Sequence, residues 1–175
     1  MSAETDTAFA LAGPALSVQR RLLDEIGARL ASISLENGYA YKMGKLTRAS
    51  MKPFSGDDMP ACNYWPGQDA FIERGVGFEK RELTLLVERY TKTRDDPFSD
   101  IVFELALDVD VALRRATAAP SRTGQHEPTL GGRVQSIHLT SITPQIGEGQ
   151  APWLGALLSF AISYRVKATD PTVFV

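Results

Sequence analysis

The sequence predicts an α+β fold in which two amphipathic helices pack on one face of a mostly antiparallel β-sheet. Two stretches carry apolar residues at three- and four-residue spacing, which is typical of helices, and several others alternate apolar and polar residues, which is typical of strands. Most predicted strands follow one another directly, and this favours antiparallel pairing. The predicted order is helix, strand, short strand, strand, helix, strand, strand, and the sheet face opposite the helices is expected to be exposed.

The most regular alternation lies at residues 153–166, near the end of the sequence. Every second position there is apolar or aromatic: Leu154, Ala156, Leu158, Phe160, Ile162, Tyr164 and Val166. A spacing of two predicts a strand with one face on the core, because successive side chains of a strand point in opposite directions. At ~3.3 Å per residue this strand would be about 45 Å long. We expect it to bend or to run past its neighbours, and an overhanging part would need another partner, such as a second subunit.

The first helix is predicted over residues 17–36. Ser17 is the expected N-cap, and Asn37–Gly38 is the expected end, since glycine accepts the left-handed conformation that closes a helix. The predicted buried stripe consists of Val18, Leu22, Leu23, Ile26, Leu30 and Ile33. Residues 1–16, rich in alanine and broken by a Gly-Pro pair, are expected to form a flexible arm before a single domain at 17–175.

The second helix is predicted to begin at Asp95–Pro97, with Asp96 as the N-cap and Pro97 at the first helical position. It is expected to run to about Thr117. Its predicted apolar stripe consists of Ile101, Leu105, Val109 and Ala112 or Leu113. Arg114–Arg115 would place cations at the negative end of the helix dipole.

Weaker alternation predicts four further strands, at residues 39–50, 61–65, 78–93 and 132–143. The first is expected to kink at Gly44, and the second to stop at Pro66–Gly67. Composition predicts loops at residues 52–60, 68–77, 120–131 and 144–152. The polar loop at 120–131 is long enough to be either functional or disordered.

The composition excludes several classes of function but does not identify the function. The chain has 175 residues, 43% of them hydrophobic, which is enough for one ordinary core. The net charge of −2 provides no general basic field, so sequence-specific binding of nucleic acid is disfavoured. Cys62 is the only cysteine, which excludes an intrachain disulfide and a cysteine metal cluster. No signal peptide and no apolar run of ~18 residues is seen, so we expect a soluble protein made in the cytosol and no membrane partner.

The residues that could carry chemistry are dispersed. The two histidines are His126, in the polar loop beside Glu127, and His138, in a predicted strand. His138 could act as a general base, but a single strand histidine is more often a surface residue. Asp108 and Asp110 lie two apart on a predicted helix, so they are expected to face different directions on an acidic solvent face and not to share a metal ion.

Other motifs favour structural interpretations. Gly-Val-Gly at 75–77 is expected in a loop or at the entry of a strand, and the glycines form no phosphate-binding pattern. Cys62 is expected to be a small buried residue, because no nearby cation is evident that would lower its pKa. Trp65 and Trp153 are expected to pack in the core or in an interface. We therefore expect no catalytic, cofactor-binding or metal-binding residues, and we expect that the protein is not an enzyme.

Three stretches resemble the minor tail proteins of long-tailed bacteriophages, in particular the tail terminator proteins. Residues 30–39 (LASISLENGY) look like the helix-to-strand entry of that family, and residues 57–65 (DDMPACNYW) look like its second strand. Residues 153–166 (WLGALLSFAISYRV) are similar to its closing strand. The resemblance covers residues 17–166 by pattern and brings no catalytic residues with it.

The resemblance implies a structural protein of the virion, made in the host bacterial cytoplasm. Such proteins form a ring, commonly a hexamer, on the head-proximal end of the tail tube, through which DNA passes. The ring stops polymerisation of the tube protein and joins the tail to the head–tail connector protein. We hypothesise that the long final strand and the loops at 50–60 and 66–77 lie in or near subunit contacts.

Alternative functions remain open at this stage. Another neck or tail-completion protein would fit the same resemblance. A small-molecule-binding or catalytic α+β domain that uses His138 is a second class, although the absence of clustered titratable groups disfavours it. A protein-interaction module unrelated to viruses is a third class.

Overall fold

The computed structural model describes residues 16–92, 97–115, 122, 127, 129–146 and 153–175. The predicted arm at 1–16 therefore lies outside the described residues, except for exposed Leu16. Within the described ranges the elements are α1 (Val18–Ala31), β1 (Lys45–Arg48), a short 3-10 helix (Gly56–Asp58), β2 (Ala61–Gly75), β3 (Phe78–Lys92), α2 (Phe98–Arg114), β4 (Ser136–Ile146), β5 (Trp153–Lys167) and β6 (Asp170–Phe174).

The predicted α+β class is confirmed, with two helices and a mostly antiparallel, curled sheet. The strand order is β1-β2-β3-β5-β4, and β6 pairs with β5 beyond the first residue of β4. The pair β1–β2 is parallel, whereas the other described pairs are antiparallel. Both helices contribute to one core that also contains the even-numbered side chains of β5, so both cover the same face of the sheet.

Strand β5 is the centre of this sheet. Its apolar positions are buried as predicted, and Phe160, Ile162 and Tyr164 have no exposed surface. Of the two alternatives expected for this strand, a bend or a part that runs past its neighbours, the second was wrong. β3 pairs with β5 along its whole length, while β4 and then β6 occupy the other side. The strand is long because both of its neighbours are long, so its backbone groups find their partners inside the chain.

Helix α1 confirms the predicted cap and stripe but is shorter than predicted. The Ser17 hydroxyl accepts a hydrogen bond from the Arg20 backbone N–H at 3.2 Å, and the stripe up to Leu30 is buried. The helix ends at Ala31 and not at Asn37–Gly38. Ser32 caps its C-terminus, and its hydroxyl donates to the Arg29 carbonyl at 2.7 Å.

The predicted strand at 39–50 was wrong over its first half. Tyr39, Tyr41 and Met43 are buried as the alternation indicated, but only Lys45–Arg48 pairs in the sheet. The backbone N–H groups of Ala40 and Tyr41 donate instead to a carboxylate of α2. This side-chain acceptor replaces the strand ladder, so alternating burial occurs here without a strand.

The short strand at 61–65 and the loop at 68–77 were also predicted wrongly. Strand β2 continues through Pro66–Gly67 to Gly75 and forms a long hairpin with β3. Register shifts between Pro66 and Asp69 and between Phe71 and Glu73 interrupt the alternation. A β-bulge places two residues opposite one and removes the period of two on which the sequence prediction depended.

The later elements are mostly confirmed, with shifted ends. Helix α2 begins at Phe98 after the cap residue Pro97 and ends at Arg114 rather than Thr117. Asp95–Asp96, Thr117 and most of the predicted loop at 120–131 lie outside the described residues. β4 starts later than predicted and extends through Pro144 to Ile146, while residues 147–152 lie outside the described ranges. The short strand β6 was not predicted.

Candidate functional site: the edges of the sheet and its helix-free face

The acidic pair of α2 divides between core and surface. Asp110 is half-buried and pairs with Arg114 at 2.8 Å. Asp108 is completely buried, which corrects the prediction that both residues belong to a solvent face. Its Oδ1 and Oδ2 accept the backbone N–H groups of Ala40 and Tyr41 at 3.1 and 3.0 Å.

Arg89 of β3 completes this buried polar centre. It is fully buried, and its Nη1 lies 3.3 Å from Oδ2 of Asp108. The guanidinium also donates to the carbonyls of Tyr41 at 2.8 Å and Leu105 at 3.2 Å. Burial lowers the pKa of Arg89 from its ordinary value, while the Asp108 carboxylate opposes that change. The centre joins α2, β3 and the segment before β1 through the hydrogen bonds of its two charged side chains.

A second buried arginine fixes the end of α2. Arg29 of α1 donates to the carbonyls of Leu113 and Arg115 at the C-terminus of α2. It also pairs with Glu25 at 3.0 Å and with Glu127 at 2.9 Å. A cation at this position satisfies carbonyls that the helix leaves without partners and complements the helix dipole.

The residues considered for chemistry do not converge. His138 is exposed on the helix-free face of β4, opposite Ala161 of β5, and His126 lies outside the described residues. Within the described ranges, no group of three or more histidine, cysteine, aspartate or glutamate residues is placed to hold a metal ion. Gly75 ends β2, and Val76–Gly77 form the two-residue turn of the hairpin, as the loop interpretation predicted.

Cys62 is buried, as predicted, although a cation is closer than the sequence indicated. It pairs across the sheet with Arg89, and its side chain has no exposed surface. Burial raises the pKa of the Cys62 thiol to about 12, and the Arg89 guanidinium opposes this only in part. A buried thiol with a raised pKa is a poor nucleophile.

We expect Cys62 in the folded protein to react with the thiol reagent DTNB at pH 8 at least about 100-fold more slowly than in the urea-unfolded chain. The reason is that the raised pKa and the burial of the thiol both reduce the amount of accessible thiolate. The absorbance of the released chromophore would measure the reaction rates of the folded and the unfolded protein. Rapid reaction of the folded protein, with no loss of its circular dichroism, would contradict this assignment.

The sheet presents two edges without partners among the described residues. Among the described strands, β4 pairs only with β5, so its other side is an edge of eleven residues with no described partner. At the opposite side, β1 covers only Ala61–Tyr64 of β2, and the edge of residues 65–75 has no neighbouring strand within the described ranges. Both edge strands contain bulges, and β4 also contains Pro144. These irregularities limit backbone pairing at the two edges to partners of matching shape.

Each open edge lies beside exposed apolar side chains. At the end of the β2–β3 hairpin, Phe71, Ile72 and Val76 are 53%, 48% and 102% exposed. We call these three residues the hairpin patch. At the other edge, Phe103 and Leu107 of α2 are 61% and 42% exposed.

A shallow groove runs between α2 and β4. It has a volume of about 300 Å³ and is lined by Phe103, Glu104, Ala106, Leu107, Asp110, Leu139 and Ile142. We call it the α2–β4 groove. Phe103 and Leu107 were not among the residues for which the sequence predicted a role. Their spacing of four on the face of α2 opposite the buried stripe was a signal that could have found them.

None of the described helices is both long and apolar enough to cross a membrane. Comparison with known proteins gives no identification, since no protein-family model and no curated protein matches this sequence.

Proposed function

We propose that this protein is a structural component of a bacteriophage tail, a tail terminator that forms a ring on the head-proximal end of the tail tube. The observation that carries the proposal is the pair of open, apolar-flanked edges at opposite sides of one curled sheet. Two different patches on one chain favour head-to-tail association, and a head-to-tail contact closes into a ring when its rotation permits. The placement of that ring on the phage tail depends on the resemblance of the sequence to tail terminator proteins.

In this proposal the hairpin patch of one subunit enters the α2–β4 groove of the next. Both surfaces are apolar at their centres, and each has charged residues at its rim. The hairpin patch belongs to residues 66–77, which were hypothesised from the sequence to lie in or near subunit contacts. The final strand takes a different role from the one hypothesised, because β5 is internal and the edges belong to β2 and β4.

The ring would stop polymerisation of the tail tube protein and join the tube to the head–tail connector. Its function is to assemble and to bind protein partners, without catalysis or a cofactor. The purified protein is expected to form rings in negative-stain micrographs and to shorten tubes when it is added to polymerising tail tube protein. A chain that stays monomeric at high concentration and in the presence of tail tubes would overturn the proposal. Rings that leave tube length unchanged would instead indicate a different neck protein or an unrelated interaction module.

Phe71→Glu and Leu107→Glu are each expected to weaken self-association at least about tenfold, because each places a charge at the centre of one half of the apolar contact. Sedimentation velocity would measure the association. An equimolar mixture of the two variants is expected to form dimers but no rings. In that mixture only the hairpin patch of the Leu107→Glu chain and the groove of the Phe71→Glu chain remain intact.

Leu35→Glu is the matched control. Leu35 is 61% exposed and lies in the turn after α1, outside both patches, so this variant is expected to assemble as the wild type does. The proposed head-to-tail contact would be excluded if the mixture associated no more strongly than each variant alone. It would also be excluded if Leu35→Glu weakened self-association as much as the two patch variants do.

A further inference from the structure

A small cavity on the helix-free face of the sheet contains three aromatic rings and one carboxylate. Its volume is about 230 Å³, and it is lined by Pro53, Phe54, Met59, Glu88, Tyr90 and Trp153. The loop before β2, strand β3 and the start of β5 each contribute to it. We call it the aromatic cavity.

The Tyr90 ring makes edge contacts with the rings on either side of it, Phe54 and Trp153. The centroids of Tyr90 and Trp153 are 4.7 Å apart with an interplanar angle of 78°, and those of Phe54 and Tyr90 are 5.9 Å apart at 68°. Gly155 makes this arrangement possible, since a Cβ at that position would lie 2.2 Å from Cδ1 of Tyr90. The Tyr90 ring therefore lies across the backbone of β5 next to Trp153.

Glu88 is held in place by neutral donors. Its Oε1 accepts from Nδ2 of Asn63 at 3.1 Å, and its Oε2 accepts from the Tyr90 hydroxyl at 2.9 Å. None of the ion pairs found in the described parts of the chain involves Glu88. Each carboxylate oxygen has a second lone pair, so each can accept a further donor. The result is a half-buried, oriented carboxylate with no described counter-cation.

We propose that the aromatic cavity binds the guanidinium group of an arginine side chain from a partner protein. The electron-rich faces of aromatic rings attract cations, and a carboxylate provides charge complementarity and accepts the guanidinium N–H groups. A guanidinium is preferred to an ammonium because it is planar, stacks on rings and is more weakly hydrated. This inference stands independently of the proposed ring, since it depends only on the geometry of the cavity.

The test uses three probes that differ in charge and shape: N-acetylarginine amide, its uncharged isostere N-acetylcitrulline amide, and N-acetyllysine amide. The chain has two tryptophans, so a Trp65→Phe background leaves Trp153 as the single fluorescent tryptophan. The arginine probe is expected to produce a saturable change in Trp153 fluorescence and to bind about tenfold more tightly than the citrulline probe. Binding of lysine or citrulline as tight as that of arginine would overturn the assignment.

Glu88→Gln is expected to lower the affinity for the arginine probe about tenfold, to the level of citrulline, because it removes the charge and keeps the shape. Glu82→Gln is the matched control, since Glu82 is also half-buried and lies on the same face of the same strand. Its arginine affinity should equal that of the background protein. Cooperative thermal unfolding would verify that both variants fold. Unchanged arginine binding by a folded Glu88→Gln protein, or equal loss in both variants, would overturn the proposal.

Discussion

Asp108→Ala is expected to lower the free energy of unfolding by about 3–5 kcal/mol, because it leaves the Arg89 guanidinium buried without its counter-ion. Ala40 and Tyr41 would also lose the acceptor of their backbone N–H groups. A domain of this kind is stable by only about 5–15 kcal/mol, so much of its stability depends on this carboxylate. Urea unfolding followed by far-ultraviolet circular dichroism would measure the loss.

Asp110→Ala provides the comparison within the same helix. Asp110 pairs with Arg114 four residues later in a partly exposed position, where such pairs contribute only about 0.3–0.5 kcal/mol. Equal destabilisation by the two substitutions would contradict this prediction, because it would show that burial of the Arg89–Asp108 pair adds nothing to the effect. The double variant Arg89→Met/Asp108→Ala is expected to recover part of the loss, since it removes the unpaired charge but not the unsatisfied N–H groups.

Gly44→Ala should be the second strongly destabilising change, with a loss of about 2–5 kcal/mol from backbone strain and steric overlap together. Gly44 has a φ of +69°, and a Cβ there would lie 2.0 Å from the carbonyl oxygen of Pro60. That oxygen accepts the backbone N–H of Lys45 at 2.9 Å. The alanine would therefore push apart the two segments that start β1 and β2.

Gly77→Ala tests the effect of backbone strain in the absence of steric overlap. Gly77 in the hairpin turn has a φ of +81°, but a Cβ there would meet no atom of the described residues within 4 Å. It should therefore cost only the strain, about 1–2 kcal/mol. Urea midpoints of both variants would test the difference. A Gly77→Ala protein as unstable as Gly44→Ala would show that the close approach of Pro60 contributes little.

The sequence was sufficient to predict an element wherever the spacing of its apolar residues alone determines the structure. Strand β5 and the stripes of both helices were predicted because a buried face repeats at the spacing of the backbone. Prediction failed where a second interaction replaced the pattern. Bulges removed the alternation of β2, and the Asp108 carboxylate took the N–H groups that a strand at residues 39–44 would have paired.

The buried role of Asp108 had a signal in the sequence. It lies three residues after Leu105 and four before Ala112, on the buried side of α2, where a carboxylate needs partners. The aromatic cavity had no such signal. Phe54, Glu88 and Trp153 are far apart along the chain, and only the register of β3 with β5 brings Tyr90 beside Gly155 and Trp153.

The central position of β5 determines when the sheet can be completed during synthesis. β3 and β4 both depend on β5 as a neighbour, and β5 is translated after both of them. On the ribosome, the β2–β3 hairpin keeps the edge of β3 unpaired until residues 153–167 emerge. Such an exposed intermediate is a target for chaperones and for aggregation. A pause in translation between β4 and β5 should therefore reduce the soluble yield more than a pause after β6.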